Sequence, residues 1–243
     1  MFHRNQDALF NPRYLLIWML LAMQGGFLNT AGFLGVGRFV SHLTGFGTMV
    51  GVEIFRGHGL LALGLIATPV FCLFGSIFSG WFVERRRIQQ ELPWYSFIFF
   101  YIVFWLILVV VIGELGGFGT FGNHLDSMKN FYFLFTIAFI CGMQNAVVSS
   151  ATGNIIRTTH LTGPMTDLGT GFVRIWTFRK DRSKKKEFYA VWCRLGMILS
   201  FVVGSFIGAY LLTHFQYRAF LFPVIISLFA SFELLNVFRK KDL

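Results

Sequence analysis

Two histidines stand in nearly identical pentapeptides, SHLTG at residues 41–45 and THLTG at residues 159–163. Histidine changes charge near neutral pH, so His42 and His160 could carry a proton or gate a cavity. A second interpretation is structural, with each imidazole bonding backbone groups freed by a break in a helix. No Cys, Asp or Glu lies at zinc-ligand spacing from either histidine, so we predict no metal site and no cofactor.

Amide side chains and two acids complete the set of residues that could do chemistry. Polar groups in apolar surroundings are costly and are often functional, although amides also hydrogen-bond one helix to another. Ligand or coupling-ion candidates are Gln24, Asn29, His42, Thr44, Gly45, Glu53, Gln144, Asn145, His160, Thr162, Gly163 and Asp167. Structural alternatives stay open for both acids, an ion pair with Arg56 for Glu53 and capping of a helix N-terminus for Asp167.

Catalytic signatures are missing from the sequence. It has no G-x-S-x-G elbow, no H-E-x-x-H pair and no phosphate-binding loop. We therefore expect that the protein is not an enzyme, and an intramembrane enzyme that uses a histidine is the weakest of the hypotheses considered below.

The composition specifies what positions these residues. The 243 residues are 55% hydrophobic and only 13% charged, with 32 phenylalanines, whereas soluble domains average about 25% charged residues. The net charge of +10 comes from residues between apolar stretches, which argues against nucleic acid as a partner and for the lipid bilayer. The predicted fold class is an all-α polytopic membrane helix bundle, a single membrane domain over residues 1–243.

Six apolar stretches are long enough to cross about 30 Å of hydrocarbon. They are Tyr14–Val36, Gly59–Val83, Pro93–Gly113, Phe131–Thr152, Phe188–Leu212 and Ala219–Phe238. One set of connecting segments holds 16 Lys and Arg residues and the opposite set holds 4. The positive-inside rule then predicts that both termini are cytoplasmic.

The pentapeptides belong to a longer repeat at an offset of 118 residues. Seven of sixteen aligned positions are identical between segments 41–56 and 159–174, where unrelated sequence would match at about one. The matches are His42/His160, Leu43/Leu161, Thr44/Thr162, Gly45/Gly163, Thr48/Thr166, Gly51/Gly169 and Arg56/Arg174. With a two-residue slip, Gln24 matches Gln144. Three spans in each half predict two repeats of inverted topology, over residues 14–113 and 131–238, a plan common among secondary transporters.

Two short segments follow the pentapeptides. Gly45–Gly57 and Gly163–Phe178 would extend only about 20 and 24 Å as helices, too short to span a bilayer, so they are expected to be interfacial or re-entrant half-helices. Thr44 and Thr162 are predicted N-caps, and Pro164 fits a first turn. Arg56 and Arg174 fall near the C-termini, where a cation suits the helix dipole, so both are structural or gating candidates.

The segments GGFLNTAGFLGVGRFVSHLTG (25–45) and GMQNAVVSSATGNIIRTTHLTG (142–163) resemble the paired signatures of the YoaK-like membrane proteins. That resemblance covers nearly the whole chain and implies a bacterial inner-membrane protein with about six spans and no assigned substrate. The family pattern often has Asp where this chain has Asn29, and Asn where it has Phe46.

We expect a permease for an unidentified small polar or anionic solute, with alternating access around a site between the repeats. His42, His160, Asp167 and Glu53 are the candidates for proton coupling. The alternative is a non-transporting sensor, lipid-binding protein or scaffold in which the repeat only builds a stable bundle. A homodimer would be compatible with a small permease, but no residue specifies one.

Overall fold

Apolar helix-forming sequence dominates the chain, and in the computed structural model every regular element of the described residues, which are 12–122, 125, 127–153, 158–159, 161–177 and 181–239, is a helix. Helices satisfy every backbone hydrogen bond internally, as a hydrocarbon environment requires. The elements are α1 Pro12–Val36, α2 Leu43–Phe55, α3 Gly59–Ile88, α4 Tyr95–Glu114, α5 Met128–Thr152, α6 Thr162–Thr177, α7 Asp181–Phe215, a 3-10 turn at Gln216–Phe220, and α8 Leu221–Arg239.

Five stretches of the described chain are long and apolar enough to cross a membrane, as in a multi-pass membrane protein. They are Tyr14–Val36, Gly59–Ile88, Tyr95–Glu114, Met128–Thr152 and Glu187–Leu235. The first four agree with the first four predicted spans. The last two predicted spans fall within the single stretch of 49 residues that contains α7, the 3-10 turn and α8.

The long helices of each half pack mainly against helices of the other half, an arrangement called exchanged packing below. Helix α1 packs mainly against α7, α3 packs mainly against α5, and α4 pairs with α8. Helices α1 and α5, which begin the two halves, thus contact α7 and α3 of the opposite half. The short helices α2 and α6 lie against α3 and α7, the helices that follow them. Because of this exchange, neither half forms a separate bundle.

Glycines allow both exchanged pairs to approach closely. A β-carbon added at Gly75 of α3 would lie 2.1 Å from the carbonyl oxygen of Phe139, and one added at Gly204 of α7 would lie 1.9 Å from that of Met23. The serine after each glycine bonds across the same crossing, Ser76 to Gly142 O at 3.2 Å and Ser205 to Gly26 O at 3.3 Å. Small residues thus allow the helix backbones to approach closely at both crossings.

The two crossings have a common register. Met23 and Phe139 lie 116 positions apart, as do Gly26 and Gly142. Helices α1 and α5 also end at left-handed glycines 116 positions apart, Gly37 and Gly153, with φ of 71° and 64°. Gln24 and Gln144, matched above at 120, are one helical turn out of this register. Since the pentapeptides are offset by 118, the stretch between the left-handed glycine and the pentapeptide is two residues longer in the second half than in the first.

Candidate functional site

The connection between α1 and α2, residues 37–42, folds back along α1. Gly37 ends the helix, and Arg38 N–H donates to the Gly32 carbonyl at 3.2 Å. Further along, Ser41 donates from its backbone N–H and its hydroxyl to Asn29 Oδ1, at 3.1 and 3.0 Å. Asn29 lies seven residues before the end of α1 at Val36, so the chain has returned about 10 Å along the helix axis.

The described part of the second connection folds back in the same way along α5. Gln144 Nε2 donates to Thr158 Oγ1 at 3.1 Å, and Asn145 Nδ2 donates to Thr159 Oγ1. The carbonyl oxygen of Thr158 would lie 2.4 Å from a β-carbon at Gly25, which places this connection against the middle of α1. Thr158 and Thr159 are both buried, and His160 lies outside the described residues.

The two connections meet at one cavity of about 590 Å³. It is lined by Asn29, Phe39, Ser41, His42, Leu43, Thr44, Thr159, Leu161, Thr162, Gly163 and Phe201. Five predicted site residues therefore come together at the cavity. They are Asn29, His42, Thr44, Thr162 and Gly163. Sequence reasoning missed Ser41 and Thr159 as hydrogen-bonding residues, although they are the first residues of the two pentapeptides.

Both short helices begin at this cavity. Helix α2 starts at Leu43 and α6 at Thr162, and the first N–H groups of any helix have no acceptor within it. Leu43, Thr44, Thr162 and Gly163 all line the cavity, so amide donors and the positive ends of two helix dipoles are directed toward it. Such an arrangement suits a ligand with a negative charge or exposed acceptors.

The predicted N-caps are wrong. His42 is the N-cap of α2, because its carbonyl accepts the N–H groups of Gly45 and Phe46 at 3.0 and 3.3 Å. Thr44 is therefore already helical, and α6 begins at Thr162 itself. The prediction that Pro164 lies in the first turn of α6 is confirmed.

His42 lies at the edge of the cavity with its ring over Gly45. Its Nδ1 would be 2.6 Å from a β-carbon at Gly45, so a side chain at that position would displace the imidazole. The side chain is exposed and makes no cap hydrogen bond. Within the described chain the imidazole thus does not tie the backbone break together, and it is available to a ligand. Gly45 lines a smaller gap beside the cavity.

Gln24 and Gln144 lie outside the cavity and are fully buried. Gln24 Nε2 donates to Gln144 Oε1 at 3.0 Å, and Gln24 Oε1 accepts from Ser227 at 3.0 Å. Gln144 also donates to Leu21 O at 2.7 Å. This network joins α1, α5 and α8 and holds the second connection through Thr158. Asn145 reaches the cavity only through Thr159, so of the four amides Asn29 alone lines it.

Neither acid lies at the cavity. Glu53, near the C-terminus of α2, pairs with Arg56 at 3.2 Å, which confirms the predicted local ion pair, and with His58 at 2.8 Å. The His58 hydrogen bond and the Arg56 charge, against an opposing effect of burial, lower the pKa of Glu53. Asp167 is exposed, and no acid lies in the first turn of α6. The prediction that it caps that helix is therefore wrong.

The arginines are at the predicted helix ends. Arg56 is the C-cap of α2, and Arg174 lies in the last turn of α6. Arg174 pairs with Glu187 of α7 at 3.5 Å, and Arg194 reaches the same carboxylate oxygen at 3.2 Å. Glu187 thus connects α6 to α7.

Comparison with known proteins gives a family and little more. A family model described as a protein of unknown function, DUF1275, matches residues 17–232. No curated protein and no solved structure matches the chain. The matched segment includes both connections, both short helices and every described residue that lines the cavity. The chain belongs to the DUF1275 family.

Proposed function

We propose that this protein is a secondary transporter of a small polar or anionic solute, with the cavity between the two connections as its binding site. The observation that carries the proposal is the convergence of two repeated, non-helical segments, from opposite halves of the chain, on one cavity of about 590 Å³. Broken helices whose N-termini point at a central site are a recurring plan for transporters.

The proposed topology has six spans. A stretch of 49 residues would extend about 74 Å as one helix, more than twice the hydrocarbon thickness, so we infer that it crosses twice and turns at Gln216–Phe220. The two halves then enter the membrane from opposite sides, and both connections are re-entrant. The distribution of Lys and Arg favours cytoplasmic termini, and the resemblance to YoaK-like proteins favours a bacterial inner membrane.

Alternating access would come from the exchanged packing. Helix α1 with α7 and helix α3 with α5 form two tightly crossed pairs. Each pair contains helices from both halves. We infer that these pairs move as units, while the cavity opens to one side and then to the other.

Of the four candidates for proton coupling, we retain the two histidines and set aside the two acids. Glu53 forms its ion pair with Arg56 and His58 away from the cavity, and Asp167 does not line the cavity. His42 does line it and is exposed. We infer that His42 senses or carries the proton, and the same role is proposed from the sequence repeat for His160.

Uptake into proteoliposomes under an imposed pH gradient tests the proposal. A panel of small carboxylates, amides and sugars should contain a solute whose accumulation requires the gradient, and His42→Ala should abolish the gradient dependence. The matched control is His214→Ala, since His214 is exposed and contacts only residues near the end of its own helix, Tyr210 O and the Tyr210 and Phe215 rings. Failure of every solute to accumulate, in protein that melts cooperatively, would reject transport.

A lipid-binding role is the second candidate, favoured by a separate apolar groove. The groove has a volume of about 330 Å³ and lies between α3, α4 and α5. It is lined by Phe71, Phe74, Trp105, Tyr132, Phe135, Thr136 and Phe139. If purified protein retains a lipid that Phe74→Ala removes, and no solute moves, lipid binding is the better account.

A further inference from the structure

Arg38 occupies the connection between α1 and α2, one residue after the glycine that ends α1. Its Nη1 donates to the neighbouring Gly37 carbonyl at 3.2 Å. Its Nε is buried and has no hydrogen-bond partner within the described chain. A guanidinium carries five donors and is always charged, so most of the binding capacity of Arg38 is unused.

Six of the other seven arginines with described side chains are neutralised by an acid. Those that pair with a carboxylate within 4 Å are Arg56, Arg86, Arg87, Arg174, Arg194 and Arg218. Arg85 is exposed and lies over the Trp81 ring at 4.7 Å. Arg38 is the exception, because it is half-buried and has no acidic partner in the described part of the chain.

The position of Arg38 connects this charge to the cavity. Arg38 lines a gap of about 10 Å³, close to the space that one water needs. Phe39 and His42 line both this gap and the main cavity. Arg38 therefore lies on the other side of Phe39 and His42 from the main cavity, and contact between its guanidinium and a ligand requires one of these side chains to move aside.

The described walls of the main cavity contain no compensating acid. The described lining residues include no Asp or Glu, while four of them are the first residues of α2 and α6. The remaining surface is largely apolar, with Phe39, Leu43, Leu161 and Phe201 beside the hydroxyls. Within a membrane protein, a half-buried arginine without an acidic partner in the described structure is a candidate for an ion or substrate site.

We propose that the cavity binds a small organic monoanion, a carboxylate with a short apolar body, and that Arg38 supplies the counter-charge. This inference rests on the proposed function in assigning the cavity as the binding site. The planar guanidinium and a carboxylate match in a bidentate pair. The amides at the starts of α2 and α6 bind the second side of the carboxylate, and the apolar walls receive the body.

Binding of benzoate to the protein in nanodiscs tests the charge requirement, with benzamide as the neutral probe of the same shape. We expect benzoate to bind and benzamide to bind at least about tenfold more weakly. Arg38→Gln should weaken benzoate binding by roughly 10- to 100-fold, and Arg38→Lys should weaken it less. The matched control is Arg218→Gln, an exposed arginine paired with Glu114, which should change the Kd less than twofold.

Three results would overturn the inference: equal binding of benzoate and benzamide, unchanged benzoate binding in Arg38→Gln, or no binding of acetate, butyrate or benzoate. If Arg38→Gln fails to fold, the comparison of benzoate with benzamide on the wild-type protein still decides. Benzoate binding that requires Arg38 without any uptake would reject transport but keep the anion site. Uptake of a neutral solute without benzoate binding would support transport and reject the anion site.

Discussion

The two halves of the molecule have similar hydrogen bonds at the cavity and different ion pairs at the C-terminal ends of their short helices. At the cavity, Asn29 bonds Ser41 and Asn145 bonds Thr159, so each connection is held to the preceding helix by an asparagine and a hydroxyl. At the far ends of the short helices, Arg56 pairs with Glu53 of its own helix, whereas Arg174 pairs with Glu187 of the next helix. The arginines at these far ends are matched in the repeat, but their acid partners, Glu53 and Glu187, are not.

This difference means that the short helices are restrained unequally. Helix α6 is tied to α7 through Glu187, a carboxylate that two arginines share. The ion pair of α2 closes on its own last turn and on His58, the N-cap of α3. We infer that α2 moves more readily relative to α3 than α6 does relative to α7.

Breaking a crossing should have the largest effect. Gly75→Ala and Gly204→Ala each place a methyl group about 2 Å from a carbonyl oxygen of the partner helix, so both should lower the free energy of unfolding by about 3 kcal/mol or more. Similar losses would show that the two crossings are equivalent. Denaturation in mild detergent, followed by tryptophan fluorescence, measures the change.

Gly80→Ala is the matched control in the same helix as Gly75. A β-carbon at Gly80 has no neighbour within 4 Å, so this substitution should be neutral or stabilising by about 0.5–1 kcal/mol. If Gly75→Ala is tolerated as well as Gly80→Ala, the close approach of α3 and α5 is wrong.

The glutamine pair should give the next largest effect. Gln24→Met and Gln144→Met each leave a buried amide group without its partner, at a cost of about 1–3 kcal/mol. Gln144→Met should cost more, because Gln144 also bonds Leu21 and Thr158. A double-mutant cycle on unfolding free energies should show that the double variant loses less than the sum of the single losses. Strict additivity would contradict the bond between the two side chains.

The asparagines test the likeness of the two connections. Asn29→Ala and Asn145→Ala should each cost about 1 kcal/mol and speed amide hydrogen exchange in their own connection. Only Asn29 lines the cavity, so Asn29→Ala should weaken solute binding more than Asn145→Ala does. Equal loss of binding in both variants would instead mean that the two connections move together.

The smallest expected effect is that low pH loosens the C-terminal end of α2. The pKa of Glu53 is lowered from 4.5 by its His58 hydrogen bond and by Arg56. The ion pair is therefore fully formed above pH 4.5 and is lost as the pH falls through the lower folded-state value. A spin label at Ile54→Cys should keep constant mobility from pH 7 to 5 and become more mobile only as the pH falls below 4.5.

Glu53→Gln should give that greater mobility at every pH, which supplies the control. A label whose mobility changes between pH 7 and 5, while Glu53 is still ionised, would mean that another group restrains this end of α2.

Local sequence patterns predicted the positions of the helices, whereas the geometry of the candidate site depends on contacts between residues distant in sequence. Hydropathy located the first four spans, and the repeat located both short helices within about two residues, because these signals depend on neighbouring residues alone. The fold-back of the connections depends on Asn29 and Asn145, whose partners lie 12 and 14 residues away. Thr44, Thr162 and Asp167 were misplaced because helix starts are fixed by backbone geometry that cap preferences do not determine.

The partners of the charged residues show the same division. Glu53 was paired correctly with Arg56 because the two are three residues apart on one helix. Arg174 and Glu187 belong to different helices, so no helical periodicity relates them. Arg38 was counted only as a loop charge, and its significance depends on which acids are absent from its surroundings in the described structure.

The central claim is that one cavity, shared by both halves, is exposed alternately to the two sides of the membrane. Labelling of Thr162→Cys by a membrane-impermeant maleimide, in right-side-out and inside-out vesicles, tests it most directly, since Thr162 is exposed and lines the cavity. The native cysteines are buried and should react slowly. We predict labelling from both sides, reduced by a transported solute. Labelling from one side only, under every gradient and solute tested, would contradict alternating access.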